Sequence, residues 1–198
     1  TGWFAGSGDD RLEGGQGNDT LVGGDGIDTV VYGGERAGYK ILLTASGQVQ
    51  GRGQSHGGLD TLSGIESGVF AGGAADLAFT QESPAMLQQL GLLYQTLFDR
   101  PGDLGGMVWW AGQFDDAGSA VRDFMATPEY AVRYGSVSDT QLIEALYRNT
   151  GLQNSDAGGI QSWESYLGSH TRAELIASWI ANDSVIDAQF GSQGLWLV

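Results

Sequence analysis

Three aspartates, Asp10, Asp19 and Asp28, recur at intervals of nine residues in AGSGDDRLE, GGQGNDTLV and GGDGIDTVV, residues 5–31, a segment otherwise dominated by glycine. An ionised carboxylate is an acceptor-only oxygen ligand, and glycines at fixed offsets before it adopt backbone angles closed to other residues, which turns carbonyl oxygens inward. The chemistry on offer is cation coordination by oxygen alone. Position eight of each nonapeptide is aliphatic, Leu12, Leu21 and Val30, as a side chain directed into a narrow strand core requires. One nonapeptide cannot bury that residue by itself, so successive coils must stack. A flexible Gly/Asp linker is the rival reading of one copy; three copies in register argue against it.

The whole composition agrees with a cationic ligand. The 198 residues carry 24 acidic and nine basic side chains, a formal net charge of −15. A phosphate backbone or an anionic membrane surface would be repelled, and no apolar run of about 18 residues exists to cross a bilayer, so neither nucleic acid nor membrane insertion is expected. Divalent cations are the natural counter-charge. With 41% hydrophobic residues the chain can form a packed core. Cysteine is absent, so neither disulfides nor thiolate metal sites hold the glycine-rich part together. No charged-then-apolar leader opens the sequence, which starts inside the repeat pattern and reads as a fragment with further repeats upstream.

The three nonapeptides fit G-G-x-G-x-D-x-U-x and resemble the RTX family, the repeats-in-toxin calcium-binding sequences, whose repeats wind into a parallel β-roll with two nonapeptides per coil. The resemblance implies that turns on one side are 18 residues apart. Asp10 and Asp28 would then share one ion with the carbonyls of Ala5, Ser7, Gly24 and Gly26. Several carbonyls with two carboxylates suit Ca²⁺ better than Mg²⁺, which demands a tighter octahedron and keeps its waters. Asp19, with Gly15 and Gly17, faces the other side, where the 18-spaced neighbours Thr1 and Ala37 supply no carboxylate. One complete site and one half site are expected, the latter filled if Asp60 or an upstream repeat caps it. Without metal the clustered carboxylates repel and little apolar area is buried, so binding and folding should be one event.

After Tyr32 the nine-residue period ends. YKILLT (39–44), QVQGR and LDTLSGIESGVF (59–70) read as short strands that cap the roll. The last resembles an element that closes RTX arrays, with Ile65 and Phe70 covering the open core. Asp60 and Glu66 are late ligand candidates; a turn acid and a solvated strand residue are the plainer readings.

From Ser83 the period becomes helical, with Pro84 at a helix start and Met86, Leu87, Leu90, Leu93, Tyr94 and Leu97 on one face. Ser138 with Gln141, Thr171 with Glu174, and Thr127 before Pro128 mark later starts. LYQTLFDRPGDLGGMVWW (93–110) aligns with LYRNTGLQNSDAGGIQSW (146–163) at an offset of 53, which reads as two copies of one helical unit. The elements LYQTLFDRPGD, the following GG and WW, and ATPEYAVRYG resemble the helical domain of unknown function 4214, found beside RTX arrays and carrying no known activity. Asp103 and Asp156 read as helix N-caps rather than metal ligands. Trp109, Trp110, Trp163 and Trp179 read as core, with sugar-stacking platforms as the rival.

Nothing points to catalysis. His56 and His170 have no ligand spacing, no nucleophile elbow or phosphate loop occurs, and the adjacent pairs Asp9/Asp10 and Asp115/Asp116 point apart. The expected fold is α+β: a short calcium-binding parallel β-roll with a β cap over 1–80, then a two-repeat all-α domain over 81–198. The resemblances imply a non-catalytic module of a bacterial protein exported by type I secretion machinery, folding on extracellular calcium, with a secretion signal in the apolar end FGSQGLWLV. Its expected partners are calcium ions, that machinery, and an extracellular polysaccharide or surface-layer protein. The alternative is the accessory tail of a secreted protease, lipase, or polysaccharide lyase or epimerase whose catalytic domain lies upstream.

Overall fold

A computed structural model of the chain describes residues 1–46, 48–53, 58–114, 117–152, 157–191 and 194–197. His56, Asp115, Asp116 and Asp156 lie outside the described residues.

The nonapeptides alternate short strands with glycine turns: β1 Gly2–Ser7, β2 Arg11–Leu12, β3 Thr20–Asp25 and β4 Thr29–Val31. β1 pairs parallel with β3, Gly2 opposite Thr20, and β2 with β4, Arg11 opposite Thr29, an 18-residue register on both sides. Leu12, Leu21 and Val30 are buried between the two sheets these strands begin. A hairpin follows, β5 Tyr39–Leu43 and β6 Val49–Gly53, and then β7 Leu59–Ser63, β8 Ser67–Phe70 and β9 Gly73–Asp76. β7 is parallel to β3 and β8 to β4, so they form a third coil, and the hairpin is an insertion between β4 and β7. Ile65 and Phe70 are buried over that coil, where Phe70 stacks on Tyr32 at 5.4 Å between ring centroids.

Eight helices follow among the described residues: α1 Pro84–Phe98, α2 Leu104–Ala111, α3 Ala117–Met125, α4 Pro128–Tyr134, α5 Asp139–Asn149, α6 Ala157–Leu167, α7 Arg172–Ile180 and α8 Asp183–Phe190. Their starts are fixed locally. Ser83, Asp103, Thr127 and Asn182 each accept a first-turn amide, and Ser138/Gln141 and Thr171/Glu174 form complete capping boxes. The chain is thus α+β. α6 begins 53 residues after α2, and α7 and α8 begin 55 residues after α3 and α4. Asn149, at the end of α5, ties the helices together, its amide donating to the Thr96 carbonyl at 2.9 Å and to the Tyr134 hydroxyl at 3.1 Å.

The last strand, β10 Leu195–Leu197, returns to pair antiparallel with β5, Leu195 opposite Leu43. The larger sheet therefore runs β1-β3-β7-β6-β5-β10 and the smaller β2-β4-β8-β9. The buried apolar residues of strands and helices form one continuous cluster. No helix among the described residues is long and apolar enough to cross a membrane.

Candidate metal centre

The turns are built from alternating backbone signs. Positions two and four of every nonapeptide, Gly6 and Gly8, Gly15 and Gly17, Gly24 and Gly26, have φ between 86° and 136°, a region that only glycine enters without strain. Stacking then leaves no room for a side chain. A Cβ on Gly24 would lie 2.0 Å from the Gly6 carbonyl oxygen, and one on Gly26 would lie 2.3 Å from that of Gly8. On this side of the sheets the turns Ala5–Asp10 and Gly23–Asp28 rest directly on each other.

Between them Asp28 is fully buried. Its Oδ1 accepts the Asp10 backbone N–H at 2.9 Å, while its Oδ2 is buried with no hydrogen-bond partner. Asp9, itself exposed, serves the same seam, its carboxylate accepting the Ile27 N–H at 2.9 Å. Ala5, Ser7, Asp10, Gly24, Gly26 and Asp28 are therefore brought to one pair of stacked turns.

The third coil ends this ladder. Ser63 lies opposite Val22 and Ser67 opposite Thr29, so two residues, Gly64 and Ile65, span between Ser63 and Glu66 where five, Gly23 to Ile27, span between Val22 and Asp28. The shortened turn has no second glycine-rich ring to offer. Instead Glu66 accepts the Asp28 N–H through Oε2 and the Gln81 amide through Oε1. Expected to be a solvated strand residue, Glu66 sits half-buried just before β8, as the acceptor that closes the turn stack.

On the opposite side Asp19 is buried, and its carboxylate partner comes from the third coil, in β7, while its 18-spaced neighbour Thr1 supplies only a hydroxyl and an ammonium. The Asp19 N–H donates to Asp60 Oδ1 at 3.1 Å, and Asn18 Oδ1 accepts the Leu59 N–H at 2.9 Å. Gly58 rests on the Gly17 carbonyl oxygen, which a Cβ there would approach to 1.7 Å. Asp60 is thus not a turn acid: it lies within β7, buried beside the Tyr32 ring, and burial pushes its carboxyl and the Tyr32 hydroxyl up from their ordinary pKa values. Asp19 Oδ1 meets the Thr1 ammonium at 2.7 Å, whereas Asp19 Oδ2 is buried without a partner. Gly15, Gly17, Asp19 and Asp60 gather here.

A buried carboxylate oxygen without a hydrogen bond or counter-ion is unfavourable by several kcal/mol. Asp28 Oδ2 is such an oxygen; on the other side of the sheets Asp19 Oδ2 also lacks a hydrogen bond, while its Oδ1 meets the Thr1 ammonium. Among the described residues no three His, Cys, Asp or Glu side chains cluster, so a six- to eight-fold oxygen shell has to draw mostly on carbonyls. The stacked turns supply them. An oxygen-only donor set with orphaned carboxylate atoms fits Ca²⁺ and gives nothing to a softer metal.

Residues 4–35 match the family model of the RTX calcium-binding nonapeptide repeat, and residues 121–181 match that of a domain of unknown function, DUF4214. The first segment is an RTX calcium-binding array. Its cofactor is Ca²⁺, and proteins with RTX repeats are typically secreted. No curated protein and no solved structure matches the chain significantly.

The tryptophans divide. Trp110 and Trp179 are buried and Trp163 is partly buried against the core, as expected; Trp109 is 58% exposed and is not a core residue. Asp103 caps α2, accepting the Gly106 N–H at 2.7 Å.

Proposed function

We propose that the chain is a non-catalytic, calcium-gated folding and adhesion module of an exported protein, in which the RTX array closes on extracellular Ca²⁺ as a parallel β-roll and the helical half, two copies of one unit, engages a surface polysaccharide. The observation that carries the calcium-gated folding is the pair of buried, unpartnered oxygens, Asp28 Oδ2 and Asp19 Oδ2, each held where glycine turns stack. Asp28, Ala5, Ser7, Gly24, Gly26 and Asp10 hold one ion; Asp19, Gly15, Gly17 and Asp60 hold the second. Low calcium leaves the Asp28 carboxylate uncompensated and the array open for export through type I secretion machinery. Extracellular calcium, at affinities of about 10⁻⁴–10⁻³ M typical of extracellular modules, neutralises and closes it. Calorimetric calcium titration read beside circular dichroism tests this: saturable binding with a gain of β signal is expected. Absence of binding overturns it.

A further inference from the structure

The two helical units differ in what packs beside one set of aromatic rings. In the first, Tyr94, Trp110 and Phe124 pack ring on ring, Trp110 and Phe124 at 4.4 Å, and the Arg100 guanidinium closes over Tyr94 at 4.9 Å. Arg100 is held there by Glu129 at 3.0 Å and Asp103 at 3.4 Å. At the offsets of 53 and 55 residues the second unit repeats the aromatic set as Tyr147, Trp163 and Trp179, Tyr147 and Trp179 at 4.7 Å and Trp163 and Trp179 at 5.2 Å. The filling is changed: Ser184 stands for Glu129 and Val185 for Tyr130. Gln153, the counterpart of Arg100, lies outside the described residues. Among the described residues a cavity of about 210 Å³ results, walled by the three aromatic side chains with Leu152 and Val185, and edged by Asn182 and Ser184.

We infer that this cavity is a binding subsite for one uncharged pyranose ring of a neutral polysaccharide. The inference rests on the adhesive reading of the helical half and names its site. Aromatic faces match the C–H face of a sugar ring, and a few placed polar groups fix its orientation. Those groups are present. Asn182 uses its side-chain oxygen on the Ser184 N–H at 2.9 Å, which leaves its amide hydrogens and the Ser184 hydroxyl for a ligand. Among the described residues no charged side chain lines the wall, and the chain's net charge of −15 disfavours a uronate. The volume lies below the range of about 300–1,000 Å³ usual for drug-sized ligands, which limits the occupant to one ring.

The test is tryptophan fluorescence of the calcium-loaded chain titrated with glucose, galactose, mannose, N-acetylglucosamine and glucuronate, alongside retention on immobilised neutral glucan, mannan and galactan. Val185→Tyr and Ser184→Glu each install the first unit's residue, the former filling the cavity and the latter charging its rim; circular dichroism checks their helix content. At least one neutral sugar should give a saturable change that weakens tenfold or more in a folded variant and persists in Trp109→Ala. Silence of every neutral sugar, equal binding of glucuronate, or undiminished binding by both variants overturns the subsite. Retention of polysaccharide by both variants overturns this cavity while keeping the adhesive reading, and absence of retention by the unaltered chain removes both.

Discussion

Replacing Asp28 by Asn tests the metal centre with little change of shape. The amide keeps an acceptor for the Asp10 N–H now at 2.9 Å, and loses the charge on an oxygen that is buried and unpartnered. Calcium therefore sets the sign of its effect. With a dissociation constant of about 10⁻⁴ M and about 10 mM Ca²⁺, one site stabilises the folded array by about 2.7 kcal/mol. For a chain of this size that corresponds to a rise in melting temperature of about 5–11 °C. Asp28→Asn should forfeit that rise. In chelator the order reverses, because the unaltered chain must keep an uncompensated carboxylate in the fold and the variant does not. Thermal melts followed by circular dichroism in the β region, with about 10 mM calcium and with chelator, read both arms. An equal calcium-induced rise in the two proteins, or a variant less stable in chelator, refutes the reasoning.

Gly24→Ala and Gly15→Ala separate strain from stacking. Both positions have positive φ, which accounts for about 1–3 kcal/mol, but only at Gly24 would the new Cβ strike the neighbouring turn, so its loss in a calcium-loaded melt should be clearly the larger. Glu66→Ala removes the acceptor for the Asp28 N–H and should lower stability by about 1–3 kcal/mol with unchanged calcium stoichiometry by calorimetry; a lost ion would make Glu66 a ligand. Tyr134→Phe deletes the bond to the Leu97 carbonyl at 2.7 Å and the acceptor for Asn149, and should lower the helical melt by about 1–3 kcal/mol; an unchanged melt would remove that network from the fold's support. The Thr171 backbone N–H and hydroxyl hold the Glu174 carboxyl below its usual range. Its stabilisation is thus complete above the unfolded-state pKa of about 4.3 and is lost as pH falls through the lower folded value. A titration of Glu174 followed by nuclear magnetic resonance with a midpoint at or above the usual range would contradict the capping geometry.

Local rules were legible in the sequence, and what was hidden depends on distance along the chain. Nine-residue spacing announces Leu12, Leu21 and Val30 as core and Asp10, Asp19 and Asp28 as a ligand row, since each repeat carries its own turn glycines. Caps at Ser138 and Thr171 were readable because a cap and its amide lie within three residues. Where the β5–β6 hairpin interrupts the coil, the partner of Asp19 moves from an offset of 18 to one of 41, and no period points to Asp60. The turn before Glu66 shortens for the same reason: Ile65 and Phe70 had already identified the covering coil, but the number of residues in its turn follows from pairing with β3 and β4. β10 is further still from its partner β5, and three apolar residues reveal a strand only once Leu43 lies beside them.

The tryptophan pair shows where a repeat stops informing. The offset of 53 aligns Trp110 with Trp163 and pairs Trp109 with Ser162. Adjacent residues on a helix diverge by about 100°, so a buried Trp110 directs Trp109 outward. The repeat thus carried the answer for Trp109, in the serine standing at its counterpart. The same comparison works in reverse at Val185 and Ser184, which stand where the first helical segment has Tyr130 and Glu129: beside Tyr147, Trp163 and Trp179 the described residues leave an open volume. Packing alone favours refilling such a space, because unfilled apolar volume lowers stability in proportion to its size. An open volume beside three large rings, edged by Asn182 and Ser184, is the space that a ligand completing the packing would take.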